Sequence, residues 1–167
     1  MFTSAIVMRL EPMSITSLDE LEGMRRAGRV VADALAAGRR AVAPGVTPAE
    51  IDEVCAAVFR RHHAVSEPQA VYDAPCAVFV SVNEAIVHGL PDRRRLQPGD
   101  VVKIDVTPMV DGFIADGAID RAVGCGATRR DQAGGGWVDV CNGRWEPDRD
   151  HEHTIVVMNG APFVLTA

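Results

Sequence analysis

The sequence predicts a mixed α/β (α+β) fold, with helices first and sheet after. Three observations predict it. Two segments between residues 17 and 63 each open on a capping box and then repeat apolar residues at helical spacing. From residue 77 the apolar residues turn β-branched and fall into short extended runs. Asp111-Gly112, a pair suited to the positive backbone angles of a type I′ turn, then joins two such runs as a hairpin.

In the first helix Ser17 takes an orphan amide and Glu20 reaches back. Leu21, Met24, Ala27, Val31 and Leu35 form one stripe, and Pro44-Gly45 stops the helix. In the second, Thr47 and Glu50 form the box and Pro48 takes the first helical position. Ile51, Val54, Cys55, Val58 and Phe59 make its buried face. His62 and His63 fall in its last turn, where a helix C-terminus favours them, and that reading outweighs metal binding. A Pro-marked loop (Pro68, Pro75) follows, then a strand over residues 77–82 and a short extended piece at Ile86-Val87 that ends on His88-Gly89. Residues 91–100 read as a polar loop. The hairpin runs over 101–110 and 113–123. Residues 127–136, with three consecutive glycines, have little to bury and read as a junction. Strand character returns at 137–140, 154–158 and 163–165, with tight turns at Asn142-Gly143 and Asn159-Gly160.

A chain of 167 residues suits one core. Its net charge of −6 argues against a dedicated nucleic-acid binder, and Arg93-Arg94-Arg95 reads as a solvated turn. No apolar run reaches the roughly 20 residues of a membrane span. Cys55, Cys76, Cys125 and Cys141 form no C-x-x-C pair, and they read as reduced thiols of a cytoplasmic protein. The first residues are too short for a secretory core; residues 1–13 read as an N-terminal extension, and Met13 is a candidate start with residues 1–12 upstream of it. No Gly-rich phosphate loop follows a strand, so nothing indicates a nucleotide cofactor.

The hairpin carries the chemistry. With a two-residue turn, Val110 faces Phe113 and Asp105 faces Ala118. Asp116 is two residues from Ala118 and shares its face, so two carboxylates become diagonal neighbours about 7–8 Å apart between backbones. On an exposed face they would be two solvated aspartates. The flanks Val102, Ile104, Val106 and Ile114 argue instead for a buried sheet, where such a pair calls for a proton or a divalent cation. Asp120 has the same parity and is a weaker candidate. His151 and His153 lie on the face opposite Glu152 and read as a polar strand edge.

Several segments together resemble type I methionine aminopeptidases. Residues 81–91, SVNEAIVHGLP, resemble the family's S-x-N-E-x-x-x-H-G-[IL]-P segment. Pro98-Gly99-Asp100 followed by Lys103-Ile104-Asp105-Val106-Thr107 resembles its G-D-x-x-x-I-D-V-T strand. Asp111-Gly112-Phe113-Ile114-Ala115-Asp116 resembles D-G-[FY]-x-x-D, and Glu152-His153-Thr154-Ile155 resembles its terminal E-H-T-[IV] strand. The resemblance covers about residues 14–124 and 135–166. It implies a pita-bread fold whose N-terminal half is largely present (residues 14–126), whose C-terminal half is mostly missing, and whose last strands (137–167) belong to the same domain. It also implies two divalent ions (Co, Mn, Fe, Zn or Mg) held by Asp105, Asp116 and Glu152, with His88 the catalytic residue that contacts substrate near its amino end. The implied activity is removal of the initiator Met from nascent peptides, in the cytoplasm.

The chain also departs from the pattern. The family's G-H-G-[IV]-G and T-x-E-P segments, which supply a histidine and a glutamate ligand, are absent. Gly117 follows Asp116 where the family has Thr, and Phe79 stands where it often has Cys. A second reading follows, of a catalytically impaired remnant that binds metal or a partner without turnover. Loss of covering helices predicts either self-association through an exposed sheet face or poor solubility.

Overall fold

The structure, a computed structural model, describes residues 15–124, 129–130, 137–138, 152–156, 161 and 163–166, and only the backbone of 129–130, 137–138 and 152. The expected N-terminal extension, most of the junction and the turns at residues 142–143 and 159–160 lie outside the described residues.

Helix α1 (Leu18–Ala41) begins on the expected capping box: the Glu20 N–H donates to Ser17 Oγ at 3.1 Å, and the Ser17 N–H donates to Glu20 Oε2 at 3.0 Å. Of its predicted stripe Ala27, Val31 and Leu35 are buried, while Leu21 and Met24 are half-buried. Helix α2 (Pro48–Arg61) repeats the box at Thr47 and buries Ile51, Cys55, Val58 and Phe59. Val54 is 36% exposed, against its assignment to the buried face. At about 100° per residue it lies at the margin of the arc centred on Ile51 and Cys55. His62 caps the helix and its Nε2 lies 2.9 Å from Asp33 Oδ2 on α1.

The next segment differs from its reading as a loop. Strand β1 (Val65–Ser66) leads into a short helix, α3 (Glu67–Tyr72). Ser66 caps that helix, and Pro68 fits its first turn, where no amide is needed. Strand β2 (Phe79–Val82) starts two residues later than predicted, because the Ala77 and Val78 amides donate to Asp52 Oδ1 on α2, each at 2.9 Å. Ile86 and Val87 form no extended piece; they are 78% and 54% exposed in a loop. Asn83, at φ +56°, turns the chain out of the sheet there. In the polar loop, Leu96 is fully buried, and its N–H and C=O bond to Val46 O and Gly45 N at 2.8 Å each.

The hairpin keeps the predicted register throughout. Val110 faces Phe113, Met109 faces Ile114, Val106 faces Gly117 and Asp105 faces Ala118. It is not one continuous ribbon. It divides into β3 (Val101–Val106), β4 (Pro108–Val110), β5 (Phe113–Ile114) and β6 (Gly117–Ala122). Pro108 has no N–H to give the ladder, so the pairing breaks there and the outer half joins β1 in a separate sheet. Beyond the hairpin come β7 (Arg129–Arg130) paired with β8 (Trp137–Val138), then β9 (Glu152–His153), β10 (Ile155–Val156) and β11 (Phe163–Val164).

The main sheet has the order β2-β3-β6-β9. Alternation gives it two unlike faces. Val80, Val102, Ile104, Val106 and Ile119 are buried in one cluster with Val31, Ala34, Ile51 and Val58 of the first two helices. The opposite face carries Phe79, Ser81, Lys103, Asp105, Ala118 and Asp120, the positions that alternate with that core.

Candidate metal centre

The candidate site is built on one rung of the sheet. Phe79 pairs with Asp105, Asp105 with Ala118, and Ala118 with Glu152. Residues directly opposite in antiparallel strands share a face. Position 152 therefore stands in the row of Asp105, two strand spacings away, or about 10 Å between backbones. Between them is Ala118, which is fully buried. Asp105 is half-buried.

Asp116 lies at the mouth of this row. It falls in the break between β5 and β6, so it is not in the ladder, and it is exposed. Two contacts fix it. The Thr107 hydroxyl donates to Asp116 Oδ1 at 2.9 Å, across the register position that a continuous ribbon would pair. The Asp116 backbone is clasped by Thr154: its N–H donates to Thr154 Oγ1 at 2.7 Å, and the Thr154 N–H donates to Asp116 O at 3.1 Å. Thr107 has the parity of Asp105, so the two aspartates open on the same side as diagonal neighbours. Thr107 is a residue that reasoning on the carboxylates alone passes over, although it stands in the same strand motif.

His88 borders the row from the other edge. Its ring stacks on Phe79 with centroids 4.8 Å apart and planes at 30°. The loop that carries it is pinned at both ends. At the near end Asn83 Nδ2 donates to Asp100 Oδ1 at 2.9 Å, and the Val101 N–H donates to Asn83 Oδ1 at 2.9 Å. At the far end the Gly89 N–H donates to Ser81 Oγ at 3.0 Å, and the Val80 N–H donates to Gly89 O at 2.9 Å. Asp100 is itself gripped by Arg94 through two bonds of 2.7 and 3.0 Å. Arg94 holds its carboxyl well below the usual carboxylate range, with the Gln97 amide and Asn83 assisting against the cost of burial. The arginine run is thus not simply a solvated turn. Arg94 forms this pair, and Arg95 Nη1 donates to Gly45 O at 2.8 Å.

The weaker candidates resolve differently. Asp120 lies opposite Lys103, a buried lysine, one alternation beyond the Asp105 row. His153 shares Gly117's rung, and its Nδ1 lies 2.9 Å from Thr166 Oγ1; His151 lies outside the described residues. Cys55 and Cys76 are free and buried, which pushes their thiols up to about 12 and about 11, with the Asp52 charge adding to burial. Neither is poised as a nucleophile.

Among the described residues, no three His, Cys, Asp or Glu side chains form a group able to hold a metal ion. Asp105 and Asp116 supply two carboxylates on one face, and the third position in reach of that face is 152 by register. An all-oxygen set of this kind suits a hard divalent cation that keeps several waters. Thr107 provides the outer hydrogen bond that such ligands commonly need.

The chain is 37% identical over 118 residues to methionine aminopeptidase 2 of Bacillus subtilis (strain 168), covering 70% of this chain and 47% of that protein. It is 40% identical over 106 residues to the methionine aminopeptidase of Escherichia coli (strain K12), covering 62% and 40%. The crystal structure of methionine aminopeptidase from Thermotoga maritima superposes with a TM-score of 0.63 at 32% identity, covering 66% of this chain and 45% of that one. The chain thus spans a little under half the length of these relatives, and its helices and sheets are part of their pita-bread fold. Residues 22–133, which include the hairpin aspartates and the His88 loop, match the family model itself, and the chain belongs to metallopeptidase family M24.

Proposed function

We propose that this protein is a methionine aminopeptidase-type metallohydrolase, which removes the N-terminal Met from nascent peptides in the cytoplasm. One observation carries the reading: Asp105 and position 152 share a rung, and Asp116 is held at its mouth by Thr107. Asp105, Asp116 and Glu152 would hold one or two divalent ions, with Mn or Mg the best match to a carboxylate set and Co, Fe or Zn the other candidates. When bound, such an ion supplies Lewis acidity toward the scissile carbonyl and a water that ionises near neutral pH. The chain's own residues do the rest. The carboxylates bind and space the ions, and Thr107 keeps Asp116 in one rotamer. His88, braced on Phe79, orients the substrate's amino end as the catalytic histidine. The relatives' names support Met as the residue removed.

A second reading is a remnant that binds metal or a partner without turnover. The sequence lacks the family's G-H-G-[IV]-G and T-x-E-P ligand segments, and that favours it. The two separate in one experiment, a calorimetric titration with Mn²⁺ alongside hydrolysis of a Met-Ala-Ser peptide. Release of Met that Asp105→Ala abolishes supports the hydrolase. Stoichiometric Mn²⁺ with no released Met supports the remnant. No Mn²⁺ binding removes both metal readings. The expected exposed sheet face is not seen, since Ser81, Lys103 and Ala118 on it are buried; we further propose that the protein self-associates through the exposed apolar residues of the His88 loop, Ile86, Val87 and Leu90.

A further inference from the structure

Gly28 lies in mid-α1, where a glycine weakens the helix and an alanine would serve better. It is buried, and what presses on it is main chain. A Cβ built on Gly28 would run into the Leu165 carbonyl oxygen, and would lie 2.7 Å from the Leu165 carbonyl carbon and 2.9 Å from its Cβ. Backbone cannot swing aside as a side chain can, so any Cβ here displaces the tail. Leu165 and Thr166 are buried on this seat, at 7% and 3% exposure. Arg25, one turn earlier on α1, lies over the Phe163 ring with its guanidinium carbon 4.9 Å from the centroid.

From this seat a continuous set of bonds leads to the carboxylates. The Leu165 N–H donates to Thr154 O at 2.9 Å. Thr154 then clasps Asp116 through its N–H and its hydroxyl. Two residues before Thr154, position 152 joins the Asp105 row through β6. The tail thus meets β6 and the Asp116 backbone, and its hold on α1 is the close approach at Gly28 together with the Arg25–Phe163 contact.

We propose that Gly28 is a positioning residue: it seats the tail on α1, and that seat places Glu152 and the Asp116 backbone for metal binding. The proposal rests on the metal reading above for its second half only. Gly28 touches neither metal nor substrate, so its effect runs through the tail.

The test uses the full chain with Gly28→Ala. The substitution should leave α1 as protected or better protected from amide exchange, since alanine favours helix. In the same protein, exchange in residues 152–156 and 163–166 should quicken at least about tenfold, as expected for a unit that opens locally. Mn²⁺ affinity should fall at least to the level of Glu152→Gln, and adding Glu152→Gln to Gly28→Ala should cost less than it does in the parent, the signature of two changes acting through one element. Arg25→Ala should show the same pattern in milder form, and it serves if Gly28→Ala fails to fold. Unchanged tail exchange in Gly28→Ala would overturn the proposal. Faster tail exchange with undiminished Mn²⁺ affinity would overturn its link to the metal. If the parent binds no Mn²⁺, the metal reading fails, and tail exchange alone decides whether Gly28 is the seat.

Discussion

At the scale of single residues, the account depends on what holds each acid. Thr107 matters because its hydroxyl holds Asp116 Oδ1. Thr107→Ala should weaken Mn²⁺ binding about 10- to 100-fold, the usual cost of losing an outer hydrogen bond to a metal ligand. Calorimetry reads this directly. Asp100 behaves in a contrasting way. Arg94 lowers its folded pKa below the ordinary value of 3.8, so in acid the unfolded chain takes up a proton first. The stabilisation is therefore whole above that ordinary value and drains away as pH falls toward the lowered one. Asp100→Asn should cost about 2 kcal/mol at neutral pH, within the range for charge-assisted bonds. The difference from the parent should shrink in urea melts at about pH 2.5 relative to about pH 7. Such partnerships are poorly legible in a sequence. Arg94 reads as one of three surface arginines, because nothing in the run tells which one has a buried carboxylate behind it.

At the scale of elements, the hairpin shows what was legible and why. Asp111 at φ +51° and Gly112 at φ +84° form the turn that this dipeptide predicts, and the turn sets the register of every later pair. From that register alone, Asp105 falls opposite Ala118. Gly112→Ala should cost about 1 kcal/mol, because alanine resists a positive φ, and denaturant melts would show the midpoint fall. The break at Pro108 also had its signal, since a proline inside a strand cannot give its ladder bond. Reading residues 101–110 as one strand passes over that signal, and with it the exposed setting of Asp116. Helix α3 was not legible: Pro68 marks a loop as readily as a first helical turn, and only the Ser66 cap and the β1 pairing decide between them.

At the scale of the whole molecule, a helix layer covers one face of the sheet, and among the described residues no helix covers the other. On the loop that carries His88, Ile86, Val87 and Leu90 are exposed. Light scattering should therefore report a mass above one chain at micromolar concentration, whereas a monodisperse monomer would count against self-association. The relatives are about twice as long as the stretch they share with this chain. The proposed centre rests on Asp105, Asp116 and Glu152, and a direct view of those three side chains tests the account best. In crystals soaked with Mn²⁺, anomalous scattering should place the ion within coordinating distance of Asp105, Asp116 and Glu152 together. Manganese bound elsewhere, or density showing Glu152 turned away from the two aspartates, would contradict it.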